Sequence, residues 1–445
     1  MPMSRVSERG DAASGEVEVS EEVCFAGRLQ RLVAGYSFAW LMAANLVGLL
    51  LSVMLLRPTW WEPFGGFTYG RWMPLHMDWH LYGWCALPLV GLLMRFMLPS
   101  GLAALRHAHA ALVVWSGALL LLGLMCLAGE GSGKLFLEWK AASRVAFPAA
   151  QVFLWVILAG HFVSRYRLQG RLLRLDYLRL AVALLAIASP VALFVTSGAE
   201  VYPPIDPESG GATGHSLLAS SLGIIVLFGL MPHLLGVAGR SKNSLSRRVY
   251  WLAMGLSVLA WVAIDHGNAS NTQVGQMLGL AVLLGWIPLV WRYYAMHDWG
   301  TAERPWVLAF VFWWALLTVN GFISFLPPVL AIVKFTNAMV AHAHLAMAGM
   351  LSSFNMLVLS AMGTRQQKKG PWGDIPAFAG WQVGTLIYVL VMTLQGVREG
   401  LDPFVLVADD PLTQFLYAIR LLAGIFMIAA SARWLWLSRM GAGVL

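Results

Sequence analysis

The chain has 445 residues, of which 59% are apolar and only 12% charged, with a formal net charge of +8; a soluble protein carries about twice that share of charge. One soluble core rarely grows past about 250–300 residues, and Val113–Leu127, Leu178–Val195 and Leu278–Val290 hold almost no ionisable side chain. Composition therefore excludes a soluble globular protein and indicates a polytopic membrane protein. A spanning helix takes about 20 apolar residues, and twelve such stretches follow one another over 30–56, 73–98, 104–128, 146–165, 177–197, 213–238, 248–267, 274–296, 306–327, 333–362, 376–398 and 412–437. The expected fold is an all-α membrane protein with twelve transmembrane helices and short loops. Residues 1–29 read as a polar tail and 30–445 as a single membrane domain. The tail lacks the apolar core of a signal peptide, so the first span is expected to be a true helix.

Basic residues fall unevenly between alternate loops. Arg165, Arg167, Arg171, Arg174 and Arg179 crowd one loop, whereas 201–214 and 267–273 contain no Lys or Arg. The positive-inside rule then puts both termini in the cytoplasm. Basic loops beside anionic lipid heads account for the net charge without a nucleic acid. Cys24, Cys85 and Cys126 are scattered and no CxxCH occurs, which excludes a c-type haem on this chain and a disulfide framework. Many of the 21 tryptophans, Trp60–Trp61 and Trp313–Trp314 among them, lie near predicted span ends, as an interfacial belt requires.

With that topology, His107, His109, His161, His233 and His297 fall at cytoplasmic ends. The other six fall toward the outer face: His76 and His80 opening the second span, His215 the sixth, His266 closing the seventh, and His342 and His344 in the tenth. Ionisable groups inside a bilayer are costly and usually mark a site, and imidazoles from four helices at one depth point to cofactors. On a helix, His342 and His344 diverge by about 200°, since each residue turns about 100°. They therefore suit two cofactors on opposite sides of one helix, with Ala343, Ala346, Ala348 and Gly349 leaving room for flat macrocycles. His76 and His80, one turn apart, share a face.

These residues resemble motifs of the haem-copper oxidase superfamily catalytic subunit, which includes oxygen reductases and nitric oxide reductases. Arg71-Trp-Met-Pro74-Leu-His76 resembles the RxxPLH that opens the second helix of the C-family oxidases. Gly214-His215 resembles the start of the sixth helix, Trp261-Val-Ala-Ile-Asp265-His266 the seventh-helix Trp-x-x-x-His-His, Ala341-His342-Ala-His344 the tenth-helix HxH, and Gln395-Gly-Val-Arg398 the end of the eleventh. The resemblance runs from the second to the eleventh span and implies two b-type haems and a non-haem metal. His76 and His344 would hold a low-spin haem. His342 would hold a high-spin haem with one face open to a small diatomic gas. His215, Asp265 and His266 would hold the second metal, and Arg398, Arg71 and His80 would serve propionates or support the ligands. The implied location is a bacterial or archaeal inner membrane.

The sequence departs from the family at Asp265, where a His is usual. Two His and a carboxylate favour iron over copper. No Tyr stands near this site: the seventh span has Tyr250 at its far end and the sixth has none. Oxygen reductases of the superfamily use such a Tyr for O–O cleavage, whereas joining two NO into N2O needs only two electrons and two protons. Against this, the Glu that usual nitric oxide reductases place one turn after the sixth-helix His is Ala219 here. The leading expectation is a respiratory enzyme reducing nitric oxide to nitrous oxide. The alternatives are a divergent oxygen reductase, and a cytochrome that has lost its dinuclear site; a transporter would leave the six outer histidines unexplained. Electrons would arrive from an accessory subunit carrying haem c or copper, or from quinol.

Overall fold

A computed structural model describes residues 7–64, 66–201, 205, 207–208, 217–237, 244–264, 273–363, 370–406 and 410–440. Lipid offers the backbone no hydrogen-bond partner, so an apolar chain satisfies its own amides by coiling into helices. The main helices are α1 (Ser7–Leu56), α2 (Tyr69–Met97), α3 (Leu102–Leu127), α4 (Ala141–Gln169), α5 (Arg174–Thr196), α6 (Leu217–Leu234), α7 (Ser244–Ala263), α8 (Val274–Ala295), α9 (Arg304–Ser324), α10 (Asn337–Met362), α11 (Ile375–Leu401) and α12 (Pro411–Met440). Among the described residues ten of them, all but α6 and α7, are long and apolar enough to cross a membrane. Among the described residues the secondary structure is thus all helical, as in a multi-pass membrane protein. In α5 the chain breaks step at Ile187, between Arg174–Ala186 and Ala188–Thr196. Pro190 explains it, because it cannot donate to the carbonyl of Ala186.

The helix α10 is the axle of the bundle. Of its most apolar window 78% is buried, whereas no other span exceeds 50%. Its first turn is capped twice. Thr336 accepts from the amide of Ala338 at 3.2 Å, and the buried Glu399 carboxylate accepts from the Asn337 amide at 2.7 Å, where the helix dipole favours an anion. Neighbouring α11 lies against it through Gly396 and Gly400, one turn apart. A Cβ at Gly396 would land on the backbone nitrogen of Ala338, and one at Gly400 on the carbonyl of Ile332 in the short helix Pro327–Val333. Small residues at such a spacing let helix backbones touch in a membrane.

Two helices change pitch midway. α2 becomes π-helical over Trp79–Cys85 and α10 over Leu345–Leu351. Each stretch contains a glycine under a tryptophan from a neighbour: Gly83 beneath Trp40 of α1, and Gly349 beneath Trp313 of α9. The wider turns strand carbonyls, and polar side chains collect them. Ser352 donates to the Met347 carbonyl at 2.8 Å, while Asn355 donates to the Trp84 and Cys85 carbonyls at 3.1 and 3.2 Å. Trp84 in turn donates its indole N–H to Ser352 at 2.7 Å. The two π segments are therefore bolted to one another.

Candidate functional site

The π segment of α10 begins directly after His344 and that of α2 three residues after His76, so both rings stand just before a change of helical pitch. Single π turns inside α-helices often mark functional sites. The rings of His76 and His344 lie 6.2 Å apart, centre to centre, with 26° between their planes. Two imidazoles that each hold one metal through a nitrogen about 2 Å away have centres about 6 Å apart, and the spacing of this pair matches that value.

Hydrogen bonds set the tautomers. Nδ1 of His76 stands 2.8 Å from the carbonyl of Ala44 on α1, and Nδ1 of His344 stands 2.8 Å from that of Val340. A carbonyl only accepts, so each Nδ1 carries the proton and each Nε2 keeps its lone pair. Metal-binding histidines are usually held this way. His342 faces another direction and pairs through Nδ1 with the Asn320 side-chain oxygen of α9 at 2.7 Å. Glycines lie beside both rings: a Cβ at Gly48 would come within 2.5 Å of His76, and one at Gly321 within 3.4 Å of His342.

A cavity of about 1110 Å³ wraps α10 on the side of these rings, larger than the roughly 300–1,000 Å³ of ordinary ligand pockets. His76, His80, His342 and His344 all line it, and so do Ala343 and Ala346. Its wall includes Trp314, Thr318 and Gly321 of α9, Gly48 of α1 beside His76, Tyr388 of α11 beside His344, and Arg420 of α12. Arg420 is only 5% exposed, and its Nε has no hydrogen-bond partner. The Asn337 side-chain oxygen at 3.4 Å and the face of Tyr388 also meet this guanidinium, but neither carries a full negative charge, so a buried cation here suits an anionic group of a bound ligand.

The remaining expected site residues are placed as follows. His80 packs at right angles to His76, with centres 4.8 Å apart and planes at 83°; the ring paired near-parallel with His344 is that of His76. Arg71 donates to the Leu127 carbonyl at 3.0 Å. Arg398 is bound to Asp410 at 2.9 Å, with Gln395 at 3.2 Å and Thr413 at 3.3 Å. Neither arginine is among the residues lining the cavity. His215, Asp265 and His266 lie outside the described residues. Among the described residues no group of three or more His, Cys, Asp or Glu could hold a metal ion.

The Arg398 partner has its own pH signature. Asp410 accepts from the Thr413 hydroxyl at 2.7 Å, from Arg398, and from the Thr413 amide at 2.7 Å. Together these hold its carboxyl down from the ordinary 3.8 to about 2. A depressed carboxyl stabilises the fold above its unfolded value and loses that contribution as pH falls through the folded value. The junction between α11 and α12 should therefore loosen between about pH 4 and pH 2. Amide exchange at Thr413 is expected to rise across that window, and Asp410→Asn should show fast exchange at every pH. Equal exchange in the two proteins at pH 6 would refute the assignment.

The sequence did not single out Asn320, Tyr388 or Arg420, because none of them falls in a histidine cluster or a family motif. A polar or charged residue within an apolar span is itself a signal, and by that signal Asn320 and Arg420 could have been found. Neither models of known protein families nor curated proteins give any match to this chain.

Proposed function

We propose that this chain is a haem-binding catalytic subunit of the haem-copper oxidase type that reduces nitric oxide to nitrous oxide. The observation that carries the reading is the His76–His344 pair, two neutral imidazoles on separate helices with their Nε2 atoms free and their centres 6.2 Å apart. The residues fit the groups: His76, His342 and His344 line a cavity of about 1110 Å³, and the orphaned Nε of Arg420 suits an anion such as a carboxylate of a haem. In this reading α6 and α7 complete twelve spans, and both termini lie in the cytoplasm beneath a bacterial or archaeal inner membrane.

His76 and His344 would hold a low-spin haem, and His342 a high-spin haem on the other side of α10. When bound, the low-spin haem supplies electron transfer, and the high-spin haem with a non-haem metal supplies a place for the gas. The chain's own contribution is orientation. Ala44, Val340 and Asn320 fix the three imidazoles, and Trp314, Thr318 and Met347 line the cavity beside them. His215, Asp265 and His266 are the set proposed for the second metal, with iron preferred over copper because of the carboxylate. An outer-facing subunit with haem c or copper, or quinol, would supply electrons.

The test is haem and metal analysis of the purified protein with NO turnover. Two b-type haems and one non-haem iron per chain are expected. Asp265→Ala should lose the iron, retain both haems and abolish NO reduction, while Asp265→His should shift the preference toward copper. Two haems without a third metal after anaerobic preparation would instead indicate an electron-transfer cytochrome.

A further inference from the structure

We infer that Tyr388 is a positioning residue that sets the plane of the His344 ring. This rests on the haem reading above and goes beyond it, because it concerns how the two ligand planes are fixed relative to each other. One hydrogen bond to Val340 anchors His344 at Nδ1 but leaves the ring free to rock about that bond. A flat partner on its face removes the freedom. Tyr388 is that partner: its ring is stacked on His344 with centres 4.1 Å apart and planes within 24°. Tyr388 is itself buried, at 6% exposure, and the Arg420 guanidinium stands over its ring, 5.2 Å from the centroid. A cation over an aromatic face is attracted to it, more strongly where water is excluded, so Tyr388 is held in turn.

On the other side, His76 is wedged between Gly48 and the perpendicular ring of His80. The 26° between the planes of His76 and His344 is thus set by side chains outside the ligand pair. Near-parallel imidazoles on a ferric haem split the iron orbitals so as to give a rhombic low-spin signal. Crossed imidazoles give a strongly anisotropic one and shift the reduction potential. Groups around axial ligands are among the protein's means of tuning a haem.

The experiment is low-temperature electron paramagnetic resonance of the full-length oxidised protein, with a redox titration of the low-spin haem. Wild-type protein should give a rhombic low-spin signal, and Tyr388→Phe, which keeps the flat ring, should preserve it. Tyr388→Leu should move it toward the anisotropic form and change the oxidised-to-reduced ratio at a fixed potential severalfold. Should Tyr388→Leu yield no loaded protein, Tyr388→Met, nearer in volume but without a flat face, gives the same readout. A signal and potential unchanged in Tyr388→Leu or Tyr388→Met would overturn this inference alone. Absence of any low-spin signal from the wild type would overturn the haem reading itself.

Discussion

Replacing His76 or His344 by alanine is expected to abolish the six-coordinate low-spin haem spectrum, while a high-spin signal held through His342 persists. The two ring centres are 6.2 Å apart and a carbonyl takes up each Nδ1, which leaves Nε2 of each for a metal, so neither can be spared. His80→Ala should leave the low-spin spectrum in place, because His80 packs at right angles to His76 while His76 is the ring paired near-parallel with His344. His342→Ala should do the reverse of the first pair, since its ring is tied to Asn320 in another direction. Optical spectra of the reduced and oxidised proteins decide the matter. An intact low-spin spectrum in both His76→Ala and His344→Ala would sink the ligand assignment.

The largest expected loss of stability comes from a single methyl group. At Gly396 an added Cβ meets the backbone of Ala338, and at Gly400 the backbone of Ile332. Backbone cannot rotate aside as a side chain can, so α11 must back away from α10 along their whole contact. Gly396→Ala should cost upwards of about 4 kcal/mol, in the range of severe single substitutions. Gly285 of α8 has open space around it, and Gly285→Ala should be neutral or stabilise by up to about 1 kcal/mol, as for an unobstructed helix position. Unfolding in mixed detergent micelles measures both. Equal stability of the two variants would remove the close approach from the account. The same displacement would strip the cap from α10, because Glu399 sits between the two glycines and binds Asn337.

Hydropathy was a good guide to where helices run, since lipid leaves the backbone no alternative. It could not reveal the offset at Ile187 or the two π turns, which depend on the pairing of Gly83 with Trp40 and Gly349 with Trp313. Those pairings join residues far apart in the chain. For the site, His76, His342 and His344 were legible because short motifs and helix geometry mark them. Arg398 shows the limit of such reading. Its place in a motif suggested a role beside a cofactor, yet Asp410 is its ion-pair partner and Arg420 is the arginine on the cavity wall. Only tertiary structure distinguishes the two. Tyr388 carries no signal at all, being an aromatic residue in an apolar helix.

The bolted π segments also constrain how this chain can change by insertion or deletion. Trp84 follows His76 at the same interval as Ser352 follows His344, and Trp84 and Ser352 are the pair that meets. Each π turn holds one residue more than an α turn. Losing one residue between His76 and Trp84 would leave α2 a perfectly regular apolar span, invisible to any hydropathy profile. Yet it would swing His76 by about 100° about the helix axis relative to Trp84, turning the imidazole away from His344. Relatives of this protein that keep the facing pair should therefore keep both intervals to the residue, even where the rest of the two helices has drifted beyond recognition.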